Sequence, residues 1–307
     1  MKRFLRRWLP DPVINSTRHL RHRARLARVR LRALGDRERL TPSFLIIGAM
    51  KAGTTSLFRY LCDHPMIFSP VVKEIHYFNF NWSRPPGWYG AHFPAARGRP
   101  EGALTGEASP GYLVHPRAPR RARERLPDAR IIVLLRDPVR RALSQYFHGR
   151  RLGLESRPVD EALFAPESHT SFNLTPEQEG DWFAALNGGP RRRAKAATLI
   201  ARCPMHQAYI TQSRYAEHLP AWLEAFDRDR ILTLRAEDLF DDPGGELDKT
   251  LQFLGLDAVE RTDLPAHNVG KYPESVSAEV IARLKEEFAE PNLHLFELIG
   301  KDLRWEE

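Results

Sequence analysis

The sequence has only two cysteines, and this scarcity limits the chemistry that the chain can carry. Cys62 and Cys203 lie far apart, with no CxxC spacing and no pair of histidines near either residue. A disulfide framework or a structural zinc site needs more cysteines at short spacings. We therefore interpret both residues as reduced structural thiols, and we predict no metal site.

Long apolar segments are also missing from the sequence. No stretch approaches the roughly 18 to 20 apolar residues that a membrane-spanning helix requires. The first ten residues are basic, but they lack the apolar run of a secretory signal peptide. By default, these two absences predict a cytoplasmic protein.

Positive charge is in excess overall, but the body of the chain has no excess of it. The formal net charge is +8 over 307 residues. Residues 1–39 contain 13 Lys and Arg against three acids, so the remainder carries 34 bases against 36 acids. An anion-binding site in the body must therefore be built locally, and we expect no nucleic-acid partner.

The basic residues are concentrated in an N-terminal arm, residues 1–40. The sequence between Arg18 and Leu34 predicts a basic amphipathic helix, because apolar residues recur at spacings of four and three. Three interpretations of this helix stay open: it packs on the body, it lies on an anionic membrane at the inner face, or it binds a polyanion. The apolar positions are Leu20, Ala24, Ala27, Leu31 and Leu34.

From Thr41 onward, apolar runs alternate with segments of helical periodicity. The runs at 44–47, 130–135 and 231–234 are typical of strands buried on both faces of a parallel sheet. Helical segments are predicted at 54–62, 139–150, 206–226 and 277–288. We therefore predict one α/β domain over residues 41–307, with helices on both faces of the sheet and a loop-rich insertion at about 151–201.

The segment between the first strand and its helix has the features of a phosphate cradle. A glycine-bounded loop before a helix directs free backbone N–H groups and the positive helix end at one point. A Walker-type nucleotidase places its lysine directly after the second glycine. Here Lys51 comes two positions before Gly53, so the loop is P-loop-like without the lysine position that a γ-phosphate and Mg²⁺ demand. The segment reads Gly48-Ala49-Met50-Lys51-Ala52-Gly53-Thr54-Thr55-Ser56.

This loop resembles the 5′-phosphosulfate loop of sulfotransferases that use 3′-phosphoadenosine 5′-phosphosulfate (PAPS). A second segment, Arg136-Asp137-Pro138 continued by Ser144 and Tyr146, is similar to the 3′-phosphate motif RDPxxRxxSxY of the same family. Arg136 can form paired hydrogen bonds with a phosphate, and Ser144 adds a hydroxyl donor. The resemblance implies a three-layer, P-loop NTPase-like sulfotransferase fold, PAPS as donor and no metal. It assigns donor binding to Lys51, Ala52, Gly53, Thr54, Thr55, Ser56, Arg136 and Ser144.

Further segments resemble the branch of this family that sulfates heparan-type polysaccharides. The first is Lys73-Glu74-Ile75-His76-Tyr77-Phe78, and the second lies at residues 290–300. The resemblance implies that Glu74 is the general base and that Lys51 offsets charge on the leaving phosphate. His76, on the same side of a strand as Glu74 by the two-residue period, would assist the base or orient the acceptor. Lys271, in a late basic loop, would contact the 3′-phosphate.

The acceptor is the least determined part of this prediction. Heparan-type enzymes carry a lysine at the position of Ala108 and a disulfide-braced hairpin before the late loop, and this sequence has neither. A glycan, a glycolipid or a small molecule remains open as the acceptor, through a hydroxyl or an amine.

Two other functions compete with sulfuryl transfer. A P-loop-like kinase or nucleotidase would need the order GK[ST] and a strand-end aspartate for Mg²⁺. A non-enzymatic protein that binds a polyanion or a membrane through its arm would show binding that weakens steeply with salt.

Overall fold

The computed structural model describes residues 24–35, 38–172, 174–186, 205–259, 264–265 and 275–305. Lys271 and Cys203 lie outside these ranges, as does most of the N-terminal arm. Within the described ranges, no helix has both the length and the apolar character needed to cross a membrane. Cys62 carries a free thiol, and burial raises its pKa to about 12, so it is an unreactive structural residue.

Four parallel strands form the central sheet. They are β1 (Phe44–Gly48), β2 (Gly106–Ala108), β3 (Arg130–Leu135) and β4 (Ile231–Arg235), in the order β2-β1-β3-β4. In this register Phe44 pairs with Gly106 on one side and with Arg130 on the other. All four carboxyl ends therefore meet at one edge of the sheet. Every residue of β1 is buried, which explains why this strand reads as a continuous apolar run.

Helices surround the sheet and confirm the predicted fold class. Leucines of α2 and α10 join the strands in the main core, whereas α5, α6 and α11 share a second core. The helices are α1 (24–33), α2 (Thr54–Cys62), α3 (Pro86–Gly90), α4 (Ala118–Arg125), α5 (Pro138–Arg151), α6 (Val159–Leu163), α7 (Pro176–Leu186), α8 (Pro220–Ala225), α9 (Ala236–Asp241), α10 (Pro243–Phe253) and α11 (Ala278–Ile299).

Strand β2 was not predicted, because three residues with a glutamate at the centre do not form an apolar run. The Glu107 carboxylate is nevertheless buried, and it accepts hydrogen bonds from the hydroxyls of Tyr89 at 2.8 Å, Ser109 at 2.9 Å and Tyr112 at 2.9 Å. Three hydrogen bonds to one buried carboxylate offset the free-energy cost of removing it from water. These three donors allow a charged residue to be buried in β2, the strand at one edge of the sheet.

The prediction of a helix across 206–226 was wrong. Only α8 is α-helical there, and it follows two 3₁₀ turns at Thr211–Ser213 and Tyr215–Glu217. The Oγ of Ser213 donates to the carbonyl of Tyr209 at 2.9 Å, and a ring nitrogen of His218 lies 2.8 Å from the carbonyl of Thr211. Side chains that bind nearby backbone groups compete with regular helix formation. The predicted helix at 277–288 does form, and as α11 it continues past Pro291 to Ile299.

The segment predicted as a loop-rich insertion contains two helices, α6 and α7. Residues 187–204 lie outside the described ranges. Helix α7 is joined to the body through Glu179, whose side chain is buried and forms ion pairs with Arg117 at 2.6 Å and Arg121 at 2.9 Å. This part of the insertion is therefore packed structure and not a surface loop.

Helix α1 contacts the body through Val29, which is fully buried. Arg39 connects the arm to the body, because it donates to the carbonyl of Phe93 at 3.1 Å and to that of Arg32 at 3.4 Å. The predicted apolar stripe faces outward, with Leu31 72% exposed and Leu34 85% exposed. Docking on the body thus uses a different face from the one that the periodicity indicated.

Candidate active site

The glycine-bounded loop joins the end of β1 to the start of α2 through two left-handed residues. Lys51 has φ of 75° and Gly53 has φ of 89°, and Gly53 is the N-cap of α2. A side chain at Gly53 would also meet the Phe240 ring at 2.8 Å. The N–H groups of Ser56 and Leu57 bind the carbonyl of Gly53. The N–H groups that precede them have no partner inside the helix and can bind an anion.

Arg136 lies at the carboxyl end of β3, directly beside this loop. Its Nη1 donates to the carbonyl of Lys51 at 2.9 Å, and its own carbonyl accepts from the hydroxyl of Tyr215 at 2.9 Å. Asp137 caps α5 by accepting from the backbone N–H of Arg140 at 2.8 Å. The Nε atom of Arg136 is buried without a hydrogen-bond partner among the described residues. The RDP tripeptide therefore fixes the loop and leaves one buried donor available.

Arg141 is a second arginine of the same motif, and it is fully buried. Its Nε donates to Ser213 Oγ at 2.5 Å and its Nη2 to the Tyr209 carbonyl at 2.7 Å. Its Nη1 is buried without a partner in the described part of the chain. Burial lowers the pKa of this guanidinium to about 10, chiefly because the charged form loses its hydration.

Lys51 lies among three positively charged arginine side chains. Burial lowers the pKa of its ammonium group to about 8, and the positive charges of Arg151, Arg136 and Arg141 lower it further in the same direction. Four cationic side chains within electrostatic range of one another repel, and they stay together at neutral pH most easily when an anion lies among them. The site is therefore suited to a ligand with several negative charges.

Helix α5 contributes more than the predicted Ser144. Ser144, His148 and Arg151 follow at spacings of four and three, so they lie on one helix face. Arg151 donates to Nδ1 of His148 at 2.8 Å. Burial lowers the pKa of His148 to about 4, as do the charges of Lys51 and Arg151, while Glu74 opposes the shift. His148 therefore lies within electrostatic range of both the loop lysine and the predicted base, and it is uncharged at neutral pH.

Glu74 lies in an irregular segment, so the prediction that it shares a strand with His76 was wrong. His76 has φ of 55°, and this turn, instead of a two-residue period, brings the two side chains together. Nε2 of His76 lies 3.0 Å from Oε2 of Glu74, and Nζ of Lys73 lies 3.2 Å from Oε1. Burial raises the pKa of Glu74, but the hydrogen bond from His76 and the charge of Lys73 outweigh it and bring the pKa to about 2.

The protonation of His76 follows from its neighbours. The backbone N–H of Phe80 donates to Oδ1 of Asn79 at 2.9 Å, which leaves Nδ2 of Asn79 directed at Nδ1 of His76 at 3.2 Å. Because an amide nitrogen only donates, Nδ1 of His76 accepts, and the ring proton is on Nε2. His76 therefore donates to Glu74. It positions the carboxylate and is not itself arranged as a base.

The buried Glu107 network supports the backbone beneath this pair. The N–H of His76 donates to Ser109 Oγ at 3.1 Å, and the N–H of Tyr77 donates to the Tyr112 hydroxyl at 2.8 Å. Both hydroxyls in turn donate to Glu107. Strand β2 thus positions the Glu74 segment at the edge of the sheet where the other three strands end.

The structure places the predicted residues in two neighbouring groups. The loop residues and Arg136 form one group, and Glu74 with His76 forms the other; Ser144 lies on α5, the helix that begins directly after Asp137. The electrostatic coupling of His148 to Lys51 and to Glu74 connects the two groups. Lys271 lies outside the described residues. Sequence reasoning missed Arg141, His148 and Arg151, although their helical spacing from Arg136 and Ser144 was a usable signal.

Comparison with known proteins identifies the family. A family model described as a sulfotransferase domain matches residues 41–269. A membrane-associated sulfotransferase, kil1 of Dictyostelium discoideum, is 27% identical over 86% of this chain and 66% of its own length. The human heparan sulfate glucosamine 3-O-sulfotransferase 3B1 is 29% identical over 89% of this chain and 67% of its own length.

A solved structure shows the same architecture. The crystal structure of a sulfotransferase from Alicyclobacillus acidocaldarius is similar with a TM-score of 0.67 and 27% identity. The similarity covers 87% of this chain and 99% of that protein. The chain spans 66% of the Dictyostelium relative, so it corresponds to a part of that longer protein. With a family match over most of its length and this shared architecture, the protein belongs to the sulfotransferase domain family.

Proposed function

We propose that this protein transfers the sulfuryl group of PAPS to a hydroxyl or amine of a saccharide. The observation that carries the proposal is the group of four cations formed by Lys51 and three arginines, of which Arg136 binds the Lys51 carbonyl at 2.9 Å. PAPS combines a phosphosulfate with a separate 3′-phosphate, so it has the charge that such a group can bind. The buried unpaired donors of Arg136 and Arg141 fit an anionic ligand of this kind.

The transfer needs one base and one site for the leaving charge. The acceptor oxygen or nitrogen forms a bond to sulfur as the bond between sulfur and the bridging oxygen of the 5′-phosphate breaks. The acceptor's proton passes to Glu74, and the electron pair of the broken bond remains on the phosphate of adenosine 3′,5′-bisphosphate (PAP). Lys51 stabilises the charge that develops there, and the loop N–H groups stabilise the phosphosulfate.

Glu74 is ionised at neutral pH, but its low pKa makes it a weak base in the free protein. Its pKa of about 2 reflects the contacts with His76 and Lys73. Proton transfer therefore occurs together with attack on sulfur, when the acceptor proton is becoming acidic. His76 holds the carboxylate in place during this step. Arg136, Ser144 and Lys271 are assigned to the 3′-phosphate.

The saccharide acceptor is inferred from the relatives and limited by a departure from them. The human relative is named for heparan sulfate glucosamine. Ala108, however, stands where heparan-type enzymes carry a lysine, and it is fully buried in β2. The region beside Glu74 therefore lacks that cation, which would favour a highly sulfated chain. We propose that the acceptors are glucosamine-containing saccharides in general.

A transfer assay with radiolabelled PAPS tests this function. The acceptors are a heparosan hexasaccharide, chitohexaose and 4-nitrophenol, and the controls are Lys51→Ala and radiolabelled ATP as donor. We expect label to move from PAPS to at least one saccharide in the native protein and not in Lys51→Ala. Transfer only to 4-nitrophenol would overturn the saccharide assignment. Phosphoryl transfer from ATP, or failure to bind PAP in calorimetry, would overturn the assignment of PAPS as the donor.

We also infer that α1 rests on an anionic membrane surface, such as the cytoplasmic leaflet. Its outward face combines the exposed Leu31 and Leu34 with arginines at 25, 28 and 30, which are also exposed. Apolar side chains beside cations are the combination that binds anionic lipid at an interface. On this proposal, the exposed leucines and arginines hold the sulfotransferase domain against the membrane surface.

Vesicle sedimentation tests the membrane inference. The protein should sediment with vesicles of phosphatidylserine and phosphatidylcholine but not with phosphatidylcholine alone. The double variant Leu31→Ser, Leu34→Ser should lose this binding, whereas Leu293→Ser, which changes an exposed leucine on α11, should keep it. Equal binding by both variants would show that the apolar stripe is not the contact. Binding to heparin without binding to vesicles would favour the polyanion interpretation.

A further inference from the structure

An aromatic cluster lies directly beside the Glu74–His76 pair, and the sulfuryl-transfer mechanism does not use it. We call Phe80, Phe172, Trp182 and Phe183 the aromatic wall. Phe80 and Trp182 are buried in a separate small core, while Phe172 and Phe183 are only partly buried against it. Rings that are half-exposed next to a reacting group can contact a ligand.

Helix α7 places Phe183 at the point of the wall nearest to the reacting groups. The ring centroid of Phe183 lies 4.9 Å from that of His76. It also stacks on Phe80 with a centroid distance of 5.1 Å and an interplanar angle of 13°. His76 in turn contacts the Glu74 carboxylate at 3.0 Å. One imidazole ring therefore separates Phe183 from the predicted base.

The position of the wall is fixed by a buried ion cluster. Glu179 of α7 lies three residues before Trp182, and its carboxylate contacts Arg117 at 2.6 Å, Arg121 at 2.9 Å and His115 at 3.1 Å. Arg121 also donates to the carbonyls of Phe78 and Asn79, at 3.1 and 3.0 Å, in the segment that follows His76. The same cluster thus holds α7 and the His76 segment together, which keeps Phe183 at a constant distance from the reacting centre.

The chemistry of the wall differs from that of the donor side. The donor side is cationic, whereas Phe183 presents ring carbons beside His76, which contacts Glu74. A pyranose ring has one or two faces made of C–H groups, with its hydroxyls directed outward from the rim. Such a face can pack on an aromatic ring while a rim hydroxyl reaches a neighbouring carboxylate.

We propose that Phe183 determines acceptor specificity by packing against the C–H face of the sugar ring that receives the sulfuryl group. This inference rests on the proposed function and names the part of the site that recognises the acceptor. A sugar ring seated on Phe183 has a rim hydroxyl or amine within reach of Glu74. Acceptors without a flat apolar face lose this contact and bind weakly.

Steady-state kinetics with heparosan hexasaccharide, chitohexaose and PAPS test the proposal. In Phe183→Ala we expect the KM for the saccharide acceptor to rise about tenfold, which is the upper range for one aromatic contact. The KM for PAPS and the affinity for PAP should not change. Phe183→Tyr should restore the acceptor KM, because it keeps the flat ring. Phe183→Leu should not, because it keeps apolar volume but loses the ring.

Phe172→Ala is the matched control. Phe172 belongs to the same wall, but its ring contacts His115 at 4.3 Å, the Arg117 guanidinium at 5.6 Å and Phe80 at 6.1 Å. Its removal should leave the acceptor KM unchanged. An unchanged acceptor KM in a folded Phe183→Ala, or a normal KM in Phe183→Leu, would overturn the proposal and show that Phe183 only packs.

The failure of this inference can be told apart from failure of the proposed function. If the native protein binds PAP and transfers label to a saccharide, but Phe183→Ala does so with the native KM, only the role of Phe183 is wrong. If the native protein transfers no label from PAPS to any saccharide, the proposed function fails first. Thermal unfolding of each variant, with and without PAP, checks that the compared proteins are folded and still bind the donor product.

Discussion

Nη1 of Arg136 donates a 2.9 Å hydrogen bond to the carbonyl of Lys51. This bond joins the end of β3 to the loop that follows β1, and it connects two sequence motifs that are 85 residues apart. The guanidinium therefore shapes the loop as well as offering donors to a ligand. The conformation of the loop therefore depends on both motifs.

Removal of the Arg136 side chain should weaken PAP binding. Arg136→Ala loses charge-assisted hydrogen bonds of about 1.5 to 3 kcal/mol, so we expect the Kd for PAP to rise about 10- to 100-fold. Isothermal calorimetry measures the change. Arg140→Ala is the control, because Arg140 is exposed on the adjoining helix α5 and binds Asp137 through its backbone N–H. Equal affinities for the two variants would show that Arg136 acts only within the protein.

The affinity for PAP should fall as the pH rises above about 8. In the free protein the pKa of Lys51 is about 8, and a bound anion favours the ammonium form and raises that pKa. Binding is therefore strongest below the free-protein pKa, and it weakens up to about tenfold per pH unit above it. Calorimetry in two buffers of different ionisation enthalpy detects the proton taken up on binding.

Lys51→Arg separates this effect from general alkaline changes. Arginine keeps its charge throughout the alkaline range, so the affinity of this variant should not depend on the titration of residue 51. A native protein whose affinity for PAP stays constant from about pH 7 to about pH 9.5 would contradict the assignment of the lowered pKa to the donor site.

Glu74→Gln should remove turnover and keep donor binding. General base catalysis contributes about 10²- to 10⁴-fold, and we expect kcat to fall by that factor. The Kd for PAP should stay near the native value, because Glu74 lies on the acceptor side. Loss of PAP binding together with activity would instead show that Glu74 holds the fold of the site.

The pH dependence of kcat should contain no acid limb from Glu74 near neutrality. The contacts with His76 and Lys73 outweigh burial and hold the pKa of Glu74 at about 2, so the carboxylate is already ionised at pH 5. In His76→Gln this support is weakened, the pKa of Glu74 rises, and an acid limb should move toward neutral pH. Rate measurements across the acid range in both proteins check this shift.

Glu107→Ala should destabilise the whole site. It leaves the hydroxyls of Tyr89, Ser109 and Tyr112 buried without their acceptor, at a cost of about 3 kcal/mol in the free energy of unfolding. Glu107→Gln keeps one acceptor oxygen and should lose less. Urea unfolding of the two variants gives the difference, and similar stability in both would show that the network is unimportant.

Local sequence was sufficient for the elements that carry the donor site. β1, β3 and β4 are apolar runs, and α2 begins after Gly53 as the loop pattern indicated. Such patterns are visible because strand burial, helix starts and tight turns depend on adjacent residues. Strand β2 was not visible, because a buried Glu107 is acceptable in a strand only when the fold directs the hydroxyls of Tyr89, Ser109 and Tyr112 at its carboxylate.

The acceptor side depended on an irregular local turn as well as on contacts between distant residues. Glu74 and His76 were expected on one strand, but an irregular turn brings them together, and Asn79 determines which nitrogen of His76 carries the proton. Phe183 could not be assigned from sequence, because the ion cluster of Glu179 holds it beside His76. The arginines that bind Glu179 in this cluster, Arg117 and Arg121, lie more than 50 residues before it in the chain.

The sequence by itself determined the α/β class, the P-loop-like segment at 48–56 and the RDP motif that accompanies it. These features follow from short-range patterns of apolar residues, glycines and charges. Only the tertiary structure decided that Lys51 lies among Arg136, Arg141 and Arg151, that His76 donates to Glu74, and that Phe183 lies beside that pair. Charge repulsion, burial and ring packing act between residues that are distant in the chain, so their outcome is defined only after the chain has folded.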